Sequence, residues 1–168
     1  MKILGKNSLS TGILVGLKAF LVAVVAIEII LLIMCVVLGL DITKEPKFIV
    51  LYLVMITAIP AVIVLYNLIK IFQTFEIEDA FNRKNINRLK NIWLSFLITG
   101  IIYFVISILL NFFTPYEHLD YIASYAQISS IFIAFIGILF VFLGLGIVIL
   151  LEIYKEAIRH KEENDLTI

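Results

Sequence analysis

Four long apolar stretches divide the chain. Ala19 to Leu40 holds a single charge, Glu28, while Phe48 to Ile69, Ile92 to Phe113 and Ile128 to Leu151 hold none. A helix needs about 20 apolar residues to cross the hydrocarbon core of a bilayer. At about 1.5 Å per residue each stretch reaches roughly 33 Å, enough to span with modest tilt. None alternates in polarity as a barrel strand would. The pattern therefore predicts an all-α integral membrane four-helix bundle. It forms a single membrane domain over 1–168, with spans at 19–40, 48–69, 92–113 and 128–151, a loop at 70–91 and a tail at 152–168. The first stretch is too long for the apolar core of a secretory signal, and no convincing small-residue cleavage site follows it. It is expected to remain as a true span.

The polar positions between the spans orient the bundle. Eleven of the 13 basic residues fall in the N-terminal segment, the 70–91 loop and the tail. The first outer loop has only Lys44 and Lys47, and the second has none. An excess of lysine and arginine marks the cytoplasmic side, so both termini and the central loop are expected there. Tyr52, Tyr116, Tyr121 and Tyr125 at the outer boundary, with Trp93 and Tyr154 at the inner one, suit an interfacial belt. Composition agrees. The chain is 62% hydrophobic and 15% charged, with mean hydropathy +1.12, against about half apolar and a quarter charged in soluble domains. A small water-soluble fold could not bury that much apolar side chain, and a disordered chain would not carry it. Zero net charge gives no reason to expect direct nucleic-acid binding. The one cysteine, Cys35, excludes an internal disulfide.

Local signals shape the connections. Asn82 is a candidate cap for a helix running through Ile86, Leu89 and Ile92 into the third span. Thr114-Pro115-Tyr116-Glu117 reads as a capping box. It predicts a short interfacial helix from Pro115 to about Ala126. Pro60 is expected to kink the second span. The last span is expected to continue as a polar helix to about Glu163.

The polar residues inside the spans are the first functional candidates. Glu28 lies close to the bilayer centre, where a carboxyl costs several kcal/mol and is read first as functional. It serves a structural hydrogen bond, a switchable latch between helices, or proton-coupled transport. Ser95, Thr99, Tyr103, Ser107 and Asn111 recur every fourth residue on the third span. Tyr103 has a depth similar to that of Glu28, so a hydrogen bond to Tyr103, Thr99 or Ser107 is expected. The alternative is that these hydroxyls bond back to their own helix. Small residues form two seams spaced 4-3-4-3: Gly12, Gly16, Ala19, Ala23 and Ala26, then Ser130, Ala134, Gly137, Val141 and Gly144. Such seams let helices approach closely in lipid, either within one bundle or across a homodimer. His118 beside Glu117 and Asp120 is a weak metal signal. With no nucleophile–base pair, phosphate-binding glycine loop or ligand cluster, neither catalysis nor a cofactor or metal is expected.

Two segments carry a resemblance. Ala80-Phe81-Asn82-Arg83-Lys84-Asn85-Ile86-Asn87-Arg88-Leu89-Lys90 and the closing Lys161-Glu162-Glu163-Asn164-Asp165-Leu166-Thr167-Ile168 are similar to bacterial domain-of-unknown-function family 2975, the YoaS-like four-span membrane proteins. In that family a phenylalanine and an asparagine precede an arginine–leucine pair, and the chain often closes on Glu-Asn-(Glu/Asp)-Leu-Thr-Ile. The family's usual glycine and proline ahead of the phenylalanine are replaced by Asp79 and Ala80. The resemblance implies a multi-pass cell-membrane protein without established enzyme activity, in genes often adjacent to a small helix-turn-helix regulator. It points to a membrane partner that sequesters or modulates such a regulator. Phe81, Asn82, Arg83, Arg88 and Leu89 with Asn164, Asp165, Leu166, Thr167 and Ile168 would form the docking surface. The alternative function is a small proton-coupled transporter or a resistance or immunity protein using Glu28.

Overall fold

A computed structural model of the chain describes residue 5 and residues 8–38, 49–77, 79–113 and 120–166. It contains four α-helices and, among the described residues, no strand: α1 (Leu9–Leu38), α2 (Ile49–Glu76), α3 (Lys84–Phe113) and α4 (Asp120–Asp165). All four are long and apolar enough to cross a membrane. The apolar runs mark where they cross, and polar residues lengthen α1 and α4 beyond them, because a backbone already helical in lipid keeps its ladder into the interface.

The bundle is open. α3 packs most extensively on α4, α2 packs on α1 and on α3, and α1 touches neither α3 nor α4 among the described residues. Burial is correspondingly sparse, with Leu14, Leu65, Ile69, Ile71, Ile92, Ile133, Leu151 and Ile158 as the buried large apolar residues among those described. Most of the remaining apolar side chains are exposed and face what would be lipid, so helix packing must come from close fit and hydrogen bonds.

The α3–α4 contact shows that close fit. Gly100 and Gly137 face each other so tightly that a Cβ on Gly100 would lie 2.8 Å from the Gly137 carbonyl oxygen and 2.7 Å from Val141 Cγ2. A Cβ on Gly137 would lie 3.0 Å from the Gly100 carbonyl oxygen and 3.1 Å from Tyr103 Cβ. Gly144 sits against the Trp93 carbonyl, and Ser130 is buried further along α4. Rings of Phe96 and Tyr103 on α3 pack on Phe140 of α4, at centroid distances of 6.0 and 5.8 Å. The span-four seam thus packs within the chain.

The span-one seam does not. A Cβ on Gly12 or Gly16 would meet nothing within 4 Å, and Ala19, Ala23 and Ala26 are exposed. The opposite stripe of α1, Leu14, Leu17, Leu21, Val24, Glu28, Leu31 and Cys35, is the more buried one, and its 3-4 spacing is that of a helix seam. It lies against α2, where the Cys35 thiol meets Met55 Sδ at 3.7 Å. At the other end of α1 the Gly5 N–H donates to the Phe75 carbonyl at 3.1 Å. Gly5 takes φ 94°, left-handed backbone that favours glycine.

One sequence expectation changes here. The interfacial helix expected at Pro115 to Ala126 is not a separate element from Asp120 onward. Those residues open α4, which continues without a break to Asp165. The Thr114–Glu117 capping box and His118 lie outside the described residues. α2 runs as one helix through Pro60.

Candidate functional site

The richest polar assembly lies where the end of α2, the α2–α3 connection, the start of α3 and the tail of α4 converge. Asn82 caps α3, its Oδ1 accepting from the Lys84 N–H at 2.9 Å, as its place before the helix predicts. Its Nδ2 donates to Asp79 Oδ2 at 2.5 Å. At the second residue of α3, Asn85 is fully buried, at 0% exposure. Its Nδ2 donates to Thr74 Oγ1 at 2.8 Å and to the Tyr154 hydroxyl at 3.0 Å. Its Oδ1 accepts from Arg88 Nη1 at 2.6 Å. Both amide hydrogens and the amide oxygen of Asn85 are therefore engaged.

The neighbours of Asn85 complete the network. Thr74 Oγ1 donates to the Ile71 carbonyl at 2.6 Å. Arg88 Nη1 also donates to the Lys70 carbonyl at 2.8 Å. The Tyr154 hydroxyl donates to the Ala80 carbonyl at 2.5 Å, with the Asn82 carbonyl at 3.2 Å as the weaker acceptor of the same proton. Among the described residues no buried side-chain nitrogen or oxygen lacks a partner. A fully satisfied buried network specifies a single arrangement, so three helices are fixed at this end.

Ion pairs fasten the tail of α4 over the network. Arg83 forms a bidentate pair with Glu162, at 2.6 and 2.5 Å. Its guanidinium donates into the Glu162 carboxylate and holds that carboxyl below its ordinary value of 4.5. The hydrogen bond from Arg83 is the largest cause, with Coulombic attraction beside it. Lys161 lies 3.9 Å from Asp79. Along α4, Lys155 pairs with Glu152 at 2.6 Å and Arg159 with Glu156. Phe81 packs beside Tyr154, with ring centroids 6.1 Å apart, yet stays 45% exposed.

The sequence-predicted residues divide accordingly. Phe81, Asn82, Arg83 and Arg88 converge in this assembly, Arg88 pointing inward to Asn85 and Leu89 half-buried on α3. Asn164 and Leu166 are exposed beyond the tail pairs, and Leu166 is 87% exposed. Asp165 ends α4, and Thr167 and Ile168 lie outside the described residues. The in-membrane set is not brought together. Glu28 lies on the α1 stripe against α2, and α1 does not reach α3 among the described residues, so the expected hydrogen bond from Tyr103, Thr99 or Ser107 does not form. Depth alone does not make neighbours. Thr99 Oγ1 instead donates to the Ser95 carbonyl at 2.7 Å and Ser95 Oγ to the Asn91 carbonyl at 2.8 Å. Ser107 Oγ crosses to the Ser130 carbonyl of α4 at 2.9 Å, and the Tyr103 ring packs at a tilt against Phe140. No group of three or more metal-ligating side chains occurs among the described residues.

Sequence reasoning missed Asn85, Thr74 and Gly100. Asn85 carried a signal in its i, i+3 spacing to Arg88, which puts both on one helix face.

These features define a multi-pass helical membrane protein whose polar side chains gather at one end of the bundle. The profile of a family described as Protein of unknown function (DUF2975) matches residues 40–168. The chain belongs to that family. The match takes in α2, α3, α4 and the whole polar assembly. No curated protein and no solved structure matches the chain.

Proposed function

We propose that the protein is a non-enzymatic cell-membrane component that acts through a protein contact at the polar end of its bundle, by holding or modulating a small helix-turn-helix regulator. One observation carries this reading. The two segments that carry the family resemblance, 80–90 and 161–168, are clasped to each other by the Arg83–Glu162 pair. The result is one composite surface with Phe81 and Leu166 unburied at its edge. Large apolar side chains held exposed beside polar groups are the usual makings of an interaction patch. With 11 of the 13 basic residues on that side, the positive-inside rule puts this end, and both termini, in the cytoplasm.

The test is co-purification of the full-length protein with the adjacent regulator from native membranes. Deletion of Asn164 to Ile168, or Phe81→Ser, removes the regulator while the protein still inserts. Unchanged recovery in both variants overturns the reading. The homodimer belongs with these proposals. A second copy would use the outward seam of Gly12, Gly16, Ala19, Ala23 and Ala26, which is exposed among the described residues. The particle mass in detergent tests it.

A further inference from the structure

The charges at the polar end are segregated. On the α4 side each cation has a carboxylate: Arg83 with Glu162, Lys155 with Glu152, Arg159 with Glu156 and Lys161 near Asp79. On the α2–α3 side Glu76 and Asp79 are present, but among the described residues neither pairs with Lys70, Lys84 or Arg88. Arg88 is held only by neutral acceptors, Asn85 Oδ1 and the Lys70 carbonyl. Lys70 lies over the ring of Tyr66 on its own helix, 5.6 Å from the centroid. Lys84, one turn before Arg88 and on the same face of α3, is exposed and makes no ion pair among the described residues. A half-buried guanidinium without a counter-ion is costly unless an anion comes from elsewhere.

The surface toward the membrane centre says which anion. One turn deeper, Asn91 Nδ2 faces Asn67 Oδ1 at 3.5 Å across α2 and α3. Below them the same outer faces turn apolar and open, with Ile59 and Ile63 on α2 and Ile98 on α3. Cations at the boundary above an exposed apolar furrow match an amphiphile with an anionic head and acyl tails. A soluble anion would not use the lower half.

We infer that the α2–α3 furrow binds a phospholipid of net negative charge, its phosphodiester held by Lys70, Arg88 and Lys84 and an acyl chain laid along Ile59, Ile63 and Ile98. The site draws Lys84 and Arg88 from the 80–90 segment but opens on the α2 side of α3, away from the Arg83–Glu162 clasp, and it stands whether or not the protein-partner assignment holds.

Delipidated full-length protein in a neutral detergent, given equal phosphatidylglycerol and phosphatidylcholine of the same chains, tests this by native mass spectrometry. The wild-type chain retains phosphatidylglycerol in preference. Lys70→Gln lowers that retention about fivefold, as expected for one juxtamembrane cation. Among the described residues the Lys70 ammonium interacts with Tyr66 of its own helix and makes no ion pair, so this variant folds even if Arg88→Gln does not. Arg83→Gln, which removes an already paired cation, leaves retention unchanged. Equal retention of the two lipids overturns the inference, as does an equal loss in Lys70→Gln and Arg83→Gln. Displacement of the lipid by millimolar inorganic phosphate also overturns it, because the site then reads a free anion.

Discussion

Replacing Gly100 by alanine inserts a methyl group where α3 and α4 have left no room. The new Cβ would stand 2.8 Å from the Gly137 carbonyl oxygen, where close carbon–oxygen contacts settle near 3.3 Å. The helices must part by about half an ångström at their crossing to restore that distance. The second obstacle, Val141 Cγ2 at 2.7 Å, does not simply swing aside, because a valine in a helix has one strongly preferred rotamer. Overpacking of this kind costs about 1–3 kcal/mol, and the backbone acceptor puts Gly100→Ala in the upper half of that range. Gly137→Ala, whose Cβ would meet the Gly100 carbonyl oxygen at 3.0 Å, falls in the lower half. Gly144→Ala is nearly neutral at 3.4 Å, and Gly12→Ala, Gly16→Ala and Gly146→Ala meet nothing within 4 Å. The order is readable by reversible unfolding in mixed micelles. Trp93 is the single tryptophan, and its carbonyl lies at the Gly144 contact, so its fluorescence reports this pair of helices. If Gly100→Ala unfolds at the same denaturant fraction as Gly146→Ala, the close approach is not what holds α3 to α4.

Two further outcomes follow from the polar end. Asn85→Ala removes three hydrogen bonds from a fully buried position. It destabilises the protein by roughly 1–3 kcal/mol in the same unfolding assay, whereas Asn87→Ala at an exposed position changes nothing; equal effects refute the network. The Glu162 carboxyl is held below 4.5 by Arg83. Its contribution to tail docking is therefore complete above the ordinary carboxylate value and is lost as pH falls through the lowered one. Spin labels at Lys84 and Leu166 show a narrow distance distribution at neutral pH that broadens in acid. Arg83→Gln is broad throughout, and a narrow distribution in that variant refutes the clasp.

The spans were legible because lipid imposes a length that little else in a sequence imitates, and so were the cap at Asn82 and the small seam of span four. Three things were not. The continuity of α4 from Asp120 was hidden because the capping signal at Thr114 marks a possible start without saying whether the helix stops before Ile128. The partner of Glu28 was misassigned because equal depth leaves helix adjacency open. Among the described residues α1 lies against α2 alone, on a stripe that includes Glu28. The polar network stayed hidden because Asn85 among charged residues reads as solvated. Its burial depends on Tyr154 arriving from 69 residues away. Arg88, grouped with an outward docking surface, is turned inward by that same network.

The order of contacts along the bundle bears on how it is built. Each helix packs only on a neighbour in the chain among the described residues, so no helix entering the bilayer must wait for a distant one. α1 and α2 can pair as soon as α2 is threaded, α3 then joins α2, and α4 arrives last on the partner with which it fits most closely. Assembly then keeps pace with synthesis, and its final step is the one that the glycine contact at Gly100 and Gly137 holds shut.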